Sequence, residues 1–174
     1  MSVTIPSPDG IDAAGRVSVV FVPALAVPGA PKIAEIAAGT HLSCAIDAFP
    51  VAIDVPTSTR MKYCYKQPVQ SPGKPSFSVG PLVTDADPQG SDSSGNYAHQ
   101  TVLVTGAKGF LIDRRGIDYD VAYAAAQKVT VYPVTVSGWR DVDIDTTSTD
   151  GQKLQREYHF AVSGQVQQDV AITA

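Results

Sequence analysis

The first strong pattern in the sequence is a short apolar run that ends at a proline. Val17, Val19 and Phe21 share one face of a predicted strand, whereas Val20 and Val22 occupy the other face. Because both faces carry apolar side chains, the pattern predicts a strand that is buried on both sides.

A short helix is predicted after this strand. Pro31 stands where a first helical turn tolerates proline, and Gly39 supplies a stop at the other end. Between them, Ile33, Ile36 and Ala37 recur at the i, i+3, i+4 spacing of one helix face. The order is therefore a strand, a loop that contains prolines, and one helix.

Short strands are predicted along the rest of the chain, where apolar and polar residues alternate between turn-forming residues. They lie at 51–53, 60–66, 76–84, 97–105, 108–113, 127–136, 139–144, 153–162 and 165–172, with a turn at 137–138 and one helical turn at 120–126. About nine strands against one real helix predict a mainly β fold. We expect an antiparallel β-sandwich or partly closed barrel with one short flanking helix.

Two of these strands carry features that restrict their surroundings. The strand at 60–66 has Met61, Tyr63 and Tyr65 on one face and a cationic face opposite, which is either solvated or a surface for a partner. Pro133 cannot donate a ladder hydrogen bond, so the strand at 127–136 is expected at a sheet edge or at a bulge.

Composition agrees with strands joined by turns. The chain has 14 glycines and 13 prolines, and Glu35 and Glu157 are its only glutamates among 17 acidic residues. Aspartate favours caps and turns over helix interiors. A chain of 174 residues is expected to form one domain, here residues 16–174, after a polar N-terminal arm at 1–15.

Charge and hydropathy exclude several classes of protein. A net charge of −4 argues against a general nucleic-acid binder. A charged fraction of 17% is low, as expected if neighbouring chains cover much of the surface. The sequence has neither a membrane-spanning apolar run nor the features of a signal peptide, so we expect synthesis in the cytoplasm and no membrane role.

Signatures of enzymes and of ligand sites are missing from the sequence. It contains no Gly-x-Ser-x-Gly, phosphate-binding loop, His-Glu-x-x-His or dinucleotide fingerprint. His41, His99 and His159 have no neighbour at ligand spacing, and Cys44 and Cys64 lack a Cys-x-x-Cys motif, so reduced cysteines are expected. We therefore predict no catalytic residue, cofactor or metal site.

Two groups of aspartates invite an interpretation. Asp141, Asp143 and Asp145 project from one face of a predicted strand, either as the solvated face of a hairpin or as an acidic stripe that lines a channel for duplex DNA. A second group, Asp85, Asp87 and Asp92, lies in the polar loop 85–96. Their spacing does not fit an EF-hand calcium loop and no glutamate closes it, so a solvated loop is favoured over a calcium site.

Two stretches of the sequence resemble a known family. The first is 16–44, with Pro31-Lys-Ile-Ala-Glu-Ile-Ala-Ala-Gly-Thr-His-Leu-Ser-Cys44. The second is Gly106-Ala-Lys-Gly-Phe-Leu-Ile-Asp-Arg-Arg-Gly116, followed by the Ala-rich and Val-rich segment 121–136. In order and rough spacing they resemble major tail (tail tube) proteins of long-tailed phages, particularly the actinobacterial siphophage type. Residues 45–105 match only in general character.

The resemblance implies a function in assembly. It implies that packed antiparallel sheets close into hexameric rings that stack into a tube, the conduit for DNA during ejection. Segments 1–15 and 85–96 would then be candidates for ring-to-ring contacts, and partners would be the tape-measure protein, the tail terminator and the distal tail protein. A capsid decoration or binding module, a secretion-system tube and, least favoured, a small hydrolase are the alternatives.

Overall fold

The computed structural model describes residues 14–89, 97–142 and 154–174. Its elements, in chain order, are β1 (Val17–Val22), α1 (Ile33–Ala37), β2 (Thr40–His41), β3 (Val51–Asp54), β4 (Thr57–Arg60), β5 (Val69–Pro72), β6 (Ser76–Val79), β7 (Leu82–Asp85), α2 (Ala98–Val102), β8 (Lys108–Arg115), β9 (Lys128–Asp141), β10 (Gln155–Val162) and β11 (Gln167–Ala171). The predicted N-terminal arm lies, apart from Ala14 and Gly15, outside the described residues.

One antiparallel sheet organises the described part of the chain. Its strand order is β2-β1-β8-β9-β10-β7, and β11 also pairs with β9. The sheet curls into a half-barrel, which confirms the mainly β, partly closed class. The predicted flanking helix is α1, and α2 is a second short helix.

Apolar side chains form a core on each side of this sheet. Val19 and Phe21 belong to one cluster together with Leu111, whereas Val20 and Val22 belong to the other. The prediction that this first strand is buried on both sides is therefore confirmed.

The loop before α1 is fastened by one of the two glutamates. Glu35 accepts hydrogen bonds from the backbone N–H of Ala26 (Oε1, 3.0 Å) and of Lys32 (Oε2, 3.0 Å). These two hydrogen bonds lower the pKa of the Glu35 carboxyl. In the same helix, Ile36 is fully buried.

The structure contradicts the strand predicted at 97–105 and the helical turn predicted at 120–126. Residues 98–102 form α2, because His99, Val102 and Leu103 recur at helical spacing and pack on the core with Tyr158. Residues 120–126 form turns without a helix.

The long strand β9 corrects two further predictions. It runs through 137–138 without a turn, because the pairs His159↔Gly138 and Phe160↔Val136 leave Ser137 as a bulge. It is also a central strand. Pro133 is tolerated there because it lies between the end of the β10 pairing, at Val134, and the end of the β11 pairing, at Val131, so no ladder hydrogen bond requires its missing N–H. Its carbonyl accepts a hydrogen bond from Ser163 N–H (2.9 Å).

Candidate functional site

A long two-stranded ribbon lies outside the main sheet. β3 pairs with β6 from Val51↔Val79 to Asp54↔Ser76, and β4 pairs with β5 from Thr57↔Pro72 to Arg60↔Val69. We call residues 51–79 the arm. Only its base packs on the core, through Val51, Phe77 and Val79, whereas every residue from 52 to 76 is exposed.

The tip of the arm differs from its prediction. The alternating segment 60–66 is not a strand, since β4 ends at Arg60 and the chain turns between Lys62 and Tyr65, where Tyr65 N–H donates to the Lys62 carbonyl (2.8 Å). Cys64, which also lies in this segment, is exposed. The apolar and cationic side chains of this segment are therefore presented together at one end of the arm.

The arm carries much of the exposed apolar surface. Of the twelve exposed large hydrophobic side chains of the described residues, six lie on it: Ile53, Val55, Met61, Tyr63, Tyr65 and Val69. A two-stranded ribbon without a packed face is marginally stable in water. Exposed apolar groups of this kind mark a surface that binds another molecule.

Charge is also divided between the arm and the rest of the chain. The arm contains four cationic residues, Arg60, Lys62, Lys66 and Lys74, and one acidic residue, Asp54. The other nine cationic residues and the other 16 acidic residues lie elsewhere, which gives the rest of the chain a formal charge of −7. The arm is thus a basic, apolar projection on an acidic protein.

Arg114 organises the loop that follows β8. Its guanidinium is fully buried and lies 4.3 Å from the ring centroid of Tyr123. It donates hydrogen bonds to the carbonyls of Asp118 (2.9 Å), Val121 (2.7 Å) and Ala122 (3.4 Å) and to Gln127 Oε1 (3.2 Å). One side chain therefore fixes the path of residues 118–127.

Beside it, Asp113 is a buried carboxylate with one exposed partner. Its Oδ2 accepts a hydrogen bond from Arg115 Nε (2.7 Å), and no described residue donates to its Oδ1. Burial raises the pKa of Asp113, and the Arg115 guanidinium partly opposes that shift. The pKa of Tyr132 is also raised, first by burial and then by the nearby Asp113 charge.

Of the predicted acidic stripe, the structure describes only Asp141. This exposed residue ends β9, and its Oδ1 accepts a hydrogen bond from Arg156 Nε (2.8 Å). The Arg156 guanidinium also stacks on Trp139, 3.8 Å from the ring centroid. Asp143 and Asp145 lie outside the described residues.

The aspartates of the predicted loop are likewise only partly described. Asp85 ends β7, and its carbonyl lies 3.2 Å from His99 Nε2. Asp87 Oδ1 accepts a hydrogen bond from Gln89 N–H (3.2 Å). Asp92 lies outside the described residues.

The described residues contain neither a cluster suited to a metal ion nor a membrane-spanning helix. Within residues 14–89, 97–142 and 154–174, no three His, Cys, Asp or Glu side chains are grouped so that they could hold a metal ion. No helix in those ranges is long and apolar enough to cross a membrane.

A half-barrel sheet with an uncovered, basic and apolar arm is typical of a protein whose surface is completed by other chains. A family model described as phage tail tube protein matches residues 5–174. The chain belongs to this family of tail structural proteins.

Solved structures include a chain with a similar fold. It comes from a "Cryo-EM structure of the anti-feeding prophage (AFP) baseplate, 6-fold symmetrised", with a TM-score of 0.52, 12% sequence identity and 96% of each chain covered. At this identity the similarity shows the fold alone. No curated protein sequence matches the chain.

Proposed function

We propose that this protein assembles with itself into hexameric rings, and that the rings stack into the tail tube of a long-tailed phage. Ring-to-ring contacts join different surfaces of successive copies, and such heterologous contacts generate an open filament. The finished tube is the conduit for DNA during ejection. The protein acts by assembly, and membership of a structural family favours a role without catalysis.

The single observation that carries this proposal is the arm. Its apolar side chains have no cover within the described chain, and its charge is opposite to that of the remaining sequence. A second copy of the same protein can cover the arm, because the part of that copy outside its own arm is acidic. The structural neighbour comes from a six-fold symmetrised assembly, which supports a ring of six.

The finer features of the proposal come from the sequence. The resemblance supports the actinobacterial siphophage type, assembly in the host cytoplasm and a final location in the virion tail. The proposed partners are the tape-measure protein, the tail terminator and the distal tail protein. The lumen stripe of Asp141, Asp143 and Asp145 and the ring contacts of 1–15 and 85–96 stay predictions.

A secretion-system tube protein is the second candidate. The structural neighbour comes from the baseplate of an anti-feeding prophage, and at 12% identity the shared fold is compatible with either kind of tube. We prefer the phage tail because the family model that matches nearly the whole chain is described as a phage tail tube protein.

Electron microscopy of the purified protein over a range of concentrations tests the proposal. We expect tubes of stacked rings. The triple variant Met61→Ser, Tyr63→Ser, Tyr65→Ser should stay unassembled while its circular dichroism is unchanged, because these side chains are exposed at the arm tip.

A matched control removes apolar surface away from the arm. Val27→Ser with Val104→Ser changes two side chains of similar exposure, 56% and 51%, and should still assemble. Wild-type particles that stay single at every concentration would contradict the proposal and favour a decoration or binding module. Single rings that never stack would favour the secretion-system tube.

A further inference from the structure

An open groove lies on the body of the protein, away from the arm tip. Two adjoining cavities of about 670 and 440 Å³ share Ser43, Cys44 and Tyr119 as lining residues. We call the combined depression the Cys44 groove. One of its walls is the segment 43–49, and the other is the loop at 119–123.

The lining of the Cys44 groove is apolar with an acidic rim. Apolar side chains line both cavities, among them Ile33, Ile46, Phe49, Tyr119 and Val121. The only charged residues that line the groove in the described part of the chain are Asp47 and Asp120, and both are exposed. The groove thus offers apolar contact area and negative charge.

Both walls of the groove are held in place by hydrogen bonds. On one side, buried Arg114 binds the carbonyls of Val121 and Ala122. On the other side, Ser43 Oγ accepts a hydrogen bond from Val19 N–H (2.9 Å), and Ile46 forms a β-bridge with Thr84. A preformed groove loses little conformational freedom when it binds a partner.

We propose that the Cys44 groove binds the arm tip, residues 60–66, of a second copy of this protein. The tip brings Met61, Tyr63 and Tyr65 to an apolar lining, and its cations to the two carboxylates at the rim. The match in both hydropathy and charge selects the tip as the occupant. The inference rests on the proposed self-assembly and adds the pair of surfaces that meet.

The two cysteines of the chain report directly on this contact. Cys64 lies in the turn at the arm tip and Cys44 lies in the groove, and both are exposed and free. Docking brings Cys64 of one copy close to Cys44 of the next. A short bis-maleimide should therefore join Cys44 to Cys64 between chains of the assembled wild-type protein.

Peptide mapping by mass spectrometry identifies the linked residues. We expect the Cys44–Cys64 link in assemblies, and its loss in Cys44→Ser and in Cys64→Ser. A monofunctional maleimide confirms that each cysteine reacts. Assemblies that link only Cys44 to Cys44, only Cys64 to Cys64, or not at all would overturn the proposal.

Charge reversal provides an independent test. Lys62→Glu with Lys66→Glu, or Asp47→Lys with Asp120→Lys, should each raise the concentration needed for assembly about tenfold. The four changes together should restore assembly, because the two surfaces are again complementary. Lys108→Glu with Lys128→Glu changes two exposed lysines outside both surfaces and is the matched control.

The outcomes separate this inference from the proposed function. Tubes that form without the Cys44–Cys64 link, or a fourfold variant that assembles no better than either pair, overturn the groove contact and leave the tube intact. A wild-type protein that forms no assembly at any concentration overturns both.

Discussion

At the scale of single residues, each residue of the Arg-Arg-Gly sequence at 114–116 has a separate structural role. Arg114 holds the following loop through its carbonyls, and Arg115 pairs with buried Asp113. Gly116 has φ +82°, a left-handed conformation that glycine adopts readily, and its N–H donates to the Arg16 carbonyl (2.9 Å). The motif that carried the family resemblance therefore builds one wall of the Cys44 groove.

Arg114→Lys should destabilise the protein by about 2–4 kcal/mol, because an ammonium cannot reach the four acceptors that surround the planar guanidinium. Urea unfolding followed by circular dichroism measures this free energy. Arg16→Lys is the control, with an expected loss under about 1 kcal/mol, since the side chains of Arg16 and its partner Asp118 are 43% and 60% exposed. Equal losses in the two variants would show that the buried hydrogen bonds contribute little.

Asp113 gives a prediction about pH. Its raised pKa means that the folded protein binds this proton more tightly than the unfolded chain does. The associated stability is present below the ordinary pKa of 3.8 and is lost as the pH rises through the folded-state pKa. Asp113→Asn cannot ionise, so it escapes that loss.

The free energy of unfolding of Asp113→Asn, minus that of the wild type, should therefore shift in favour of the variant between about pH 3 and pH 7. Other carboxyl groups titrate in both proteins and cancel in the difference. Paired urea titrations at several pH values measure it. A difference that stays constant, or that shifts toward the wild type, would mean that Asp113 is not destabilised by burial.

At the scale of elements, β1 and β8 approach each other closely at Gly109. A Cβ at this position would lie 2.5 Å from Phe21 Cζ and 2.8 Å from the Val22 carbonyl oxygen. Gly109→Ala should destabilise the protein by about 1–3 kcal/mol, because the backbone oxygen cannot move aside without breaking the ladder. Thermal and urea unfolding measure the loss.

Gly138→Ala is the matched control for this change. It also lies in a strand, but a Cβ there meets nothing within 4 Å and its φ is not positive. We expect a change within about 0.5 kcal/mol. A Gly138→Ala variant as unstable as Gly109→Ala would point to backbone conformation rather than to strand contact.

The same scale shows what local pattern can predict. β1 and α1 follow from spacing alone, because their apolar side chains face the chain's own core. The single strand predicted at 76–84 is instead two strands, β6 and β7, which belong to different sheets. The alternation at 60–66 wrongly predicts a strand, because these side chains are exposed and do not pack on the core of the described chain. Alternation alone does not distinguish side chains that pack on the chain's own core from side chains that contact another molecule. The helix α2 could have been predicted from the spacing of His99, Val102 and Leu103.

The Cys44 groove, by contrast, could not be predicted from local pattern. Its lining joins residues from α1, from the segment after β2, from α2 and from the loop after β8, which only the sheet order brings together. The sequence did contain the charge imbalance between residues 51–79 and the rest of the chain. That imbalance indicates a binding surface only once the structure shows that the arm is exposed.

At the scale of the whole molecule, the arm should be dispensable for folding and essential for assembly. Residues 55–75 can be replaced by Asn-Gly, because Asp54 and Ser76 are paired across the ribbon and a two-residue turn closes such a hairpin. All the removed side chains are exposed. The free energy of unfolding of the armless variant should lie within about 1 kcal/mol of the wild-type value, yet the variant should form no tubes in electron micrographs.

The armless variant should also act on the wild-type protein when the two are mixed. It keeps the Cys44 groove and so accepts an arm, but it has no arm to offer the next copy. In a heterologous filament such a subunit stops growth at the point where it is incorporated. Small amounts should therefore shorten tubes measured by electron microscopy.

An armless variant that also carries Asp47→Lys and Asp120→Lys cannot accept an arm, so it should leave tube length unchanged. Equal shortening by both variants would mean that incorporation depends on a surface other than the groove.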